Sequence, residues 1–404
     1  MKKILIFSLA YYPKFIGGDA VAIKEITDRT PPKDIEFHMI TLRFDSMLPK
    51  VERLGNVMVY RIGFGKKDVG TRQTYTPLFY ISKILFIPLA VLKAIRLNRQ
   101  HHFDGLWAMM SYMVFPIVLM RLFGFKTPFI LTLQEGETYE RVFKSWYIVP
   151  LLSLLDYGFR HATVVQTISN FLGEWARRRG FEGPLEVIPN GFNSSALTHG
   201  YLPHELDELK KKLGIKQDEI VLVTVSRLVK KNAVDDVIRA LPFLSRRVRL
   251  LIVGGGPDEE ELKKLAHDRK VSSQTIFVGR VDTSETTKYR KISSIFIRPS
   301  RSEGMGNSFV SSMALGLPVI ATQEGGIADF LFDAKRDPGQ PTTGWAVDTD
   351  SPEQIAEAVD DILDHPEKTK KVIETARNLV LTKYNWDTIA KDMQDKVFSR
   401  LFAK

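Results

Sequence analysis

The stretch Arg298-Pro299-Ser300-Arg301-Ser302-Glu303-Gly304-Met305-Gly306-Asn307-Ser308 sets one carboxylate among small residues and ends where a helix begins, near Asn307. Glycines at 304 and 306 let a ligand approach the backbone closely. A helix start offers unpaired N–H groups and a positive dipole end to a phosphate. An acid beside such an anion site suits a neutral, hydroxyl-rich group, a sugar for example. The competing reading is a plain strand-to-helix turn with a surface glutamate. A second candidate is Ser226-Arg227-Leu228-Val229-Lys230-Lys231, a cationic run directly after an apolar strand. Arg227 could grip a diphosphate through two nitrogens, and a lysine could add a point charge. The bland alternative is a solvated basic turn. In Lys14-Phe15-Ile16-Gly17-Gly18-Asp19 a glycine pair marks another strand-to-helix turn, a feature that any tight turn shares.

These segments need elements to hold them. Apolar runs at 4–8, 35–42, 57–62, 105–109, 128–133, 163–166 and 186–188 read as buried strands, with helical periodicity at about 19–29, 77–99, 112–123, 145–160 and 169–179. The polar stretch from Asn193 to Lys212 suits a linker running into a helix. Alternation then resumes with strands at 220–226, 249–253, 275–278, 295–297 and 318–321 and helices at 232–243, 258–269 and 307–315. Such alternation implies parallel sheets covered by helices on both faces. Two doubly wound units in tandem are expected, with ligands in the crevice at the carboxyl ends of the strands. The tail from 351 to 403 reads as three helices, the first opened by Ser351-Pro352.

At 404 residues, 44% hydrophobic and 26% charged, the chain has the size and composition of two folded domains. It contains no cysteine, which excludes disulfides, thiolate metal sites and a cysteine nucleophile. A net charge of +10 favours anionic partners. No basic helix with base-reading spacing accompanies it, so nucleic acid is not expected. Met1 to Ala10 imitates a secretion signal but lacks a cleavage site, and reads as a buried first strand of a cytoplasmic protein. No histidine pair has metal spacing, Asp348-Thr349-Asp350 is better explained by capping of the helix after it, and no metal is expected. Gly254-Gly255-Gly256 does not form a dinucleotide fingerprint.

In order, Gly17-Gly18, Val187-Ile188-Pro189-Asn190-Gly191, Ser226-Arg227-Leu228, Val253-Gly254-Gly255-Gly256-Pro257, Phe277-Val278-Gly279, the Glu303 segment, and Met313 to Thr322 closing with Gly325-Gly326 resemble the retaining glycosyltransferases of family 4. The resemblance runs over nearly the whole chain. It implies the GT-B fold, two Rossmann-like domains facing a central cleft with a C-terminal helical tail. Residues 1–192 would bind the acceptor, 193–384 a nucleotide-diphosphate sugar, and a helix from 385 to 404 would pack back on the first domain. Arg227 and Lys231, with Lys230 in reserve, would hold the departing diphosphate, and Glu303 the sugar hydroxyls. Gly304, Met305, Gly306, Asn307 and Ser308 would grip sugar and phosphate, and Gly256, Pro257 and Val278 would flank the base. Gly17, Gly18, Gln134, Asn190, Asn232 and Ser311 complete the expected donor contacts. Three of these depart from the family's habit: Asn232, Ser311 and Gln134 stand where lysine, glutamate and histidine are usual. The implied activity is same-face hexose transfer from a UDP- or GDP-linked sugar, without metal or other cofactor, to a glycan or lipid-linked acceptor. The alternative is a catalytically weak or silent nucleotide-sugar-binding relative.

Residues 78–97 approach the length of a membrane span, but Lys83, Lys93, Arg96 and the central Pro88 argue against one. With Tyr112–Lys126 and Trp146–Arg160 they form three apolar segments with basic ends. These are either buried core helices or a peripheral contact with an anionic membrane surface on its inner face.

Overall fold

Runs rich in Ile, Val, Leu and Phe become central strands because such side chains pack well on both faces of a covered sheet. The computed structural model describes residues 1–13, 17–65, 77–192, 197 and 200–403, with the backbone alone of 77–80. Lys14, Phe15 and Ile16 of the glycine-pair segment, and the start of the expected second domain at Asn193, lie outside the described residues. The chain divides into two compact units, Met1–Asn190 with Trp386–Lys404, and Gly191–Asn385.

The first unit holds β1 (Lys2–Phe7), β2 (Ile35–Leu42), β3 (Val51–Leu54), β4 (Val57–Ile62), β5 (Gly105–Met109), β6 (Phe129–Leu133), β7 (Val164–Thr167) and β8 (Leu185–Val187). They form one sheet in the order β3-β4-β2-β1-β5-β6-β7-β8. All neighbours are parallel except β3, which runs antiparallel to β4. Register is set by wholly buried stretches such as Ile4 to Phe7, where Ile4 faces Phe37 and Phe7 faces Ile40. The last segment of the chain completes this unit's core. Trp386, Ile389, Met393, Val397, Phe398 and Leu401 pack beside Ile6, Phe37, Trp107 and Ile130. The Phe398 ring centroid lies 5.7 Å from that of Phe37 and 5.3 Å from that of Trp107. Arg29 Nε donates to Asp387 at 2.7 Å, and Arg400 pairs with Glu186 at 2.7 Å.

The second unit holds β9 (Ile220–Val225), β10 (Val248–Val253), β11 (Thr275–Gly279), β12 (Ile295–Arg298), β13 (Val319–Ala321) and β14 (Trp345–Ala346), in the order β11-β10-β9-β12-β13-β14, all parallel. Both units are therefore Rossmann-like. The segment read as one helix over 145–160 is instead a turn at Val149–Leu151 followed by a helix at Leu152–Arg160. Pro150 lies in that turn, and proline both removes an N–H and disfavours helix for the residue before it. Two edge strands, β3 and β14, go unmarked in the sequence because they are short and carry little apolar pattern.

His38 on β2 is 2% exposed, its ring stacked on Tyr60 and close to His101. Burial, with the neighbouring His101 adding to it and Glu36 opposing, pushes its pKa down to about 4. In the unfolded chain the imidazole titrates near ~6.5. Between those values the unfolded state binds a proton that the folded state refuses, so stability falls as pH drops through that window. We expect a loss on the order of 2–3 kcal/mol from this group between pH 6.5 and 4. Thermal melts across that range should show a flatter dependence for His38→Phe. Parallel curves for the two proteins would refute the assignment.

Candidate functional site

The second sheet changes direction between β9 and β12: the chain builds β10 and β11 on one side, then returns to build β13 and β14 on the other. In sheets of this kind, loops at the carboxyl ends of the two central strands flank the ligand crevice. The loop after β9 carries Arg227, Lys230 and Lys231, and the loop after β12 carries Glu303.

Arg301 stitches these loops together. Its backbone N–H donates to the Lys231 carbonyl at 2.7 Å, and its Nη1 donates to the Lys230 carbonyl at 2.7 Å. The remaining guanidinium donors reach Asp235, Asp236 and Asp350. Burial acts to raise the Asp235 carboxyl, but Arg301 and Arg239 together hold it below the usual carboxylate range. Asp236, buried beside Asp235, is raised instead. The loop after β10 joins the same edge, for Leu228 N–H donates to the Gly255 carbonyl at 3.2 Å. A Cβ on Gly256 would lie 2.1 Å from the Leu228 carbonyl oxygen, so only glycine permits that approach. The Glu303 carbonyl in turn accepts from Gly326 N–H at 3.0 Å.

Arg227 and Lys230 are exposed along this edge and Lys231 is half-buried. Asn232, expected to touch the donor, is buried, and its amide donates to the Arg227 carbonyl at 2.7 Å. It braces the cationic loop. Met305 is likewise buried, 1% exposed. Gly306 adopts φ 90° and caps the helix Asn307–Ala314, whose opening N–H groups are those of Asn307 and Ser308. Val278 lies in β11, and Pro257 is exposed after β10. Gly304 is buried beside Glu303, whose side chain is 14% exposed, and Ser311 sits half-buried on the helix. The role of Arg298 is not apparent from the sequence. It is buried at the end of β12 and pairs with Glu303. The available signal was a charge closing an otherwise apolar strand.

Gly17, Gly18, Gln134 and Asn190 belong to the first unit, and the other expected site residues belong to the second. Gly17 precedes the helix Gly18–Asp28. Gln134 follows β6 and exchanges hydrogen bonds with Asn190, amide to amide, at 3.3 and 3.0 Å. Beside them Glu135 is 5% exposed and accepts from Ser111 N–H at 2.6 Å, and burial pushes its carboxyl up. Met110, just before Ser111, has φ 75° and ψ 154°, a conformation costly for any residue but glycine.

Comparison with known proteins gives a consistent answer. The Glycosyltransferase Family 4 model matches residues 16–196, and the Glycosyl transferases group 1 model matches residues 206–379. The GDP-mannose-dependent alpha-(1-6)-phosphatidylinositol monomannoside mannosyltransferase of Mycobacterium tuberculosis is 32% identical over 265 residues, 62% of this chain and 66% of that protein. The match thus spans just under two thirds of that relative's length. An uncharacterized glycosyltransferase of Methanocaldococcus jannaschii is 24% identical over 96% of each chain. Among solved structures, sucrose-phosphate synthase from Thermosynechococcus elongatus aligns over 100% of this chain and 99% of its own, with a TM-score of 0.81 and 19% identity. Anabaena HepE in complex with UDP-glucose aligns over 99% of this chain and 100% of its own, with a TM-score of 0.76 and 17% identity. Both share this fold.

Proposed function

We propose, from the premise that the chain belongs to glycosyltransferase family 4, that it transfers a hexose from a nucleotide-diphosphate sugar to a glycan or lipid-linked acceptor, with retention at the anomeric carbon. The observation that carries the proposal is the Arg301 bridge, which keeps the cations at 227–231 and the acid at 303 on one edge of the second unit's sheet. In this reading the second unit holds the donor. Arg227 and Lys231 neutralise the departing diphosphate, aided by the N–H groups at Asn307 and Ser308, and Glu303 accepts from hexose hydroxyls. Catalysis is then electrostatic stabilisation of the leaving group plus positioning, with the acceptor attacking the face the diphosphate leaves. The chain's own cations carry the leaving-group charge, so the scheme asks for no metal, and activity should survive chelator.

GDP-mannose, the donor in the name of the mycobacterial relative, and UDP-glucose, present in the HepE complex, are the first to try. A thermal-shift screen of UDP, GDP, ADP and their common sugars tests the proposal, because a ligand that binds only the folded state raises its melting temperature. One nucleotide family is expected to stabilise the protein, and its sugar to be transferred. No response to any nucleotide would sink the reading.

The first unit would receive the acceptor, at an anionic membrane on its cytoplasmic face. Among the described residues no helix is long and apolar enough to cross a membrane. Two helices nevertheless turn apolar stripes outward. On Pro77–His101 the exposed positions among the described side chains are Ile81, Ile84, Leu85, Pro88 and Leu92, then Arg96, Arg99 and Gln100. On the segment leading into and along Leu152–Arg160 they are Tyr147, Val149, Pro150, Leu151, Ser153, Leu154 and Tyr157, then Arg160, with Trp146 85% exposed just before. A water-facing stripe is ordinarily polar, and apolar contact flanked by cations fits an anionic bilayer. From Pro77 to Gln134 the chain carries Lys83, Lys93, Arg96, Arg99, Arg121 and Lys126 against the single acid Asp104, itself paired with Lys2. Sedimentation with phosphatidylglycerol vesicles, lost in Trp146→Ser/Leu154→Ser, is the expected outcome. Absence of sedimentation by the unaltered protein would remove the membrane from the proposal.

A further inference from the structure

Arg298 closes β12, a strand otherwise composed of Ile295, Phe296 and Ile297, and it is 6% exposed. A guanidinium in such a place adds little to stability, since replacing a buried ion pair by apolar groups of similar size is often neutral or favourable. Its guanidinium hydrogen bonds go to one segment. Nε donates to Ser300 Oγ at 3.1 Å, Nη1 to Ser308 Oγ at 2.8 Å, and Nη2 to a carboxylate oxygen of Glu303. Its flat face lies 4.2 Å from the centre of the Phe309 ring. The neighbouring backbone is shaped to admit it, for a Cβ on Gly306 would sit 3.0 Å from Nη2 and 2.5 Å from the Phe309 ring. A second buried guanidinium supports the same turn from beneath. Arg290 Nε donates to Ser312 Oγ at 3.0 Å, and Ser312 donates to the Ser308 carbonyl at 2.8 Å. Burial, with the like charge of Arg298 adding to it, pushes the Arg290 guanidinium down to about 9. One buried cation thus grips the loop that carries Glu303, and a second braces the helix that follows it.

We propose that Arg298 is a positioning residue for the donor sugar: by gripping one carboxylate oxygen of Glu303 it fixes the acid's orientation and leaves the other oxygen to accept from hexose hydroxyls. The inference rests on the assignment of Glu303 to the sugar. It makes Arg298 act on the sugar portion of the donor rather than on the nucleotide.

Titration calorimetry with GDP and GDP-mannose, and with UDP and UDP-glucose, can separate these roles in the full-length protein and in Arg298→Met, Arg298→Lys, Glu303→Gln and the double variant Arg298→Met/Glu303→Gln. The nucleotide alone should bind Arg298→Met within about threefold of the unaltered protein. The further affinity contributed by the sugar, and kcat, should each fall about tenfold or more, as expected for loss of a charged hydrogen bond. Arg298→Lys should recover part of the loss, because an ammonium keeps the charge without the planar fork. Losses in the double variant should not multiply, since the two side chains act as one unit. If Arg298→Met fails to fold, the double variant, which leaves no partner of this pair charged, should match Glu303→Gln alone. Equal weakening of nucleotide and nucleotide sugar, or multiplying losses, overturns the inference. An inactive Glu303→Gln beside an unaffected Arg298→Met removes this inference and leaves the proposed function standing. A fully active Glu303→Gln, or no binding of either nucleotide pair, removes the assignment of Glu303 and this inference with it.

Discussion

Arg227→Ala should lower hexose transfer by roughly 10²–10³-fold, the scale on which loss of one preorganised charge-stabilising donor acts, while leaving the melting temperature nearly unchanged. Arg227 is exposed at the edge of the second sheet, so little packing is lost with it. Its side chain would matter only as the diphosphate departs. Lys231→Ala should lower transfer as well, while Lys230→Ala, at the more exposed neighbour, should cost less. Glu303→Gln keeps the shape of the acid beside Arg298 and should lower kcat at least as much as Arg227→Ala. Turnover of the donor identified by the thermal screen, measured with a glycolipid and a glycan acceptor, checks all four. Nucleotide-sugar binding without turnover across a broad acceptor panel would favour the silent relative, in line with Asn232, Ser311 and Gln134. Transfer unaffected by Arg227→Ala would refute the leaving-group assignment.

Ending the chain at Asn385 should unfold Met1–Asn190 and leave Gly191–Asn385 folded. The removed segment supplies Trp386, Ile389, Met393, Val397, Phe398 and Leu401 to the first unit's core. At about 2 kcal/mol apiece as a lower figure, their loss removes roughly 12 kcal/mol, against a net stability of ~5–15 kcal/mol for a typical domain. The second unit keeps its own core, from Leu222 and Val237 to Ile362 and Val372. Its ends remain joined, since Phe192 N–H donates to the Tyr384 carbonyl at 3.0 Å. Calorimetry of the shortened chain should lose one unfolding transition, and limited proteolysis should leave a resistant fragment beginning near residue 191. Phe398→Ala, a gentler version, should cost about 3–5 kcal/mol in the first unit alone. Two intact transitions in the shortened chain would show that the segment is dispensable.

Much of the fold was legible in the sequence because strand formation here is a local matter. Ile4 to Phe7 and Ile35 to Leu42 announce buried strands by composition, and both occupy the middle of a sheet. The ordered glycine, arginine and glutamate motifs identified the family for the same reason, as each is a short run read without knowledge of its neighbours. Val51–Leu54 and Trp345–Ala346 carry no such mark, because pairing with a neighbour, rather than their own pattern, makes them strands. The place of Asn232 after the arginine is legible in the sequence, whereas its burial and its bond to the Arg227 carbonyl depend on how the turn at 230–232 closes.

The sequence alone thus determined the alternation of elements, the two Rossmann-like units and the kinship with family 4, all properties carried by periodicity and short motifs. Only the tertiary structure decided that Arg301 joins the loops at 231 and 303, that Arg298 grips Glu303, and that Phe398 closes a core begun at Ile4. A charge in a sequence has no partner until folding fixes its distance and removes its water, and those two quantities set the energy of every such contact.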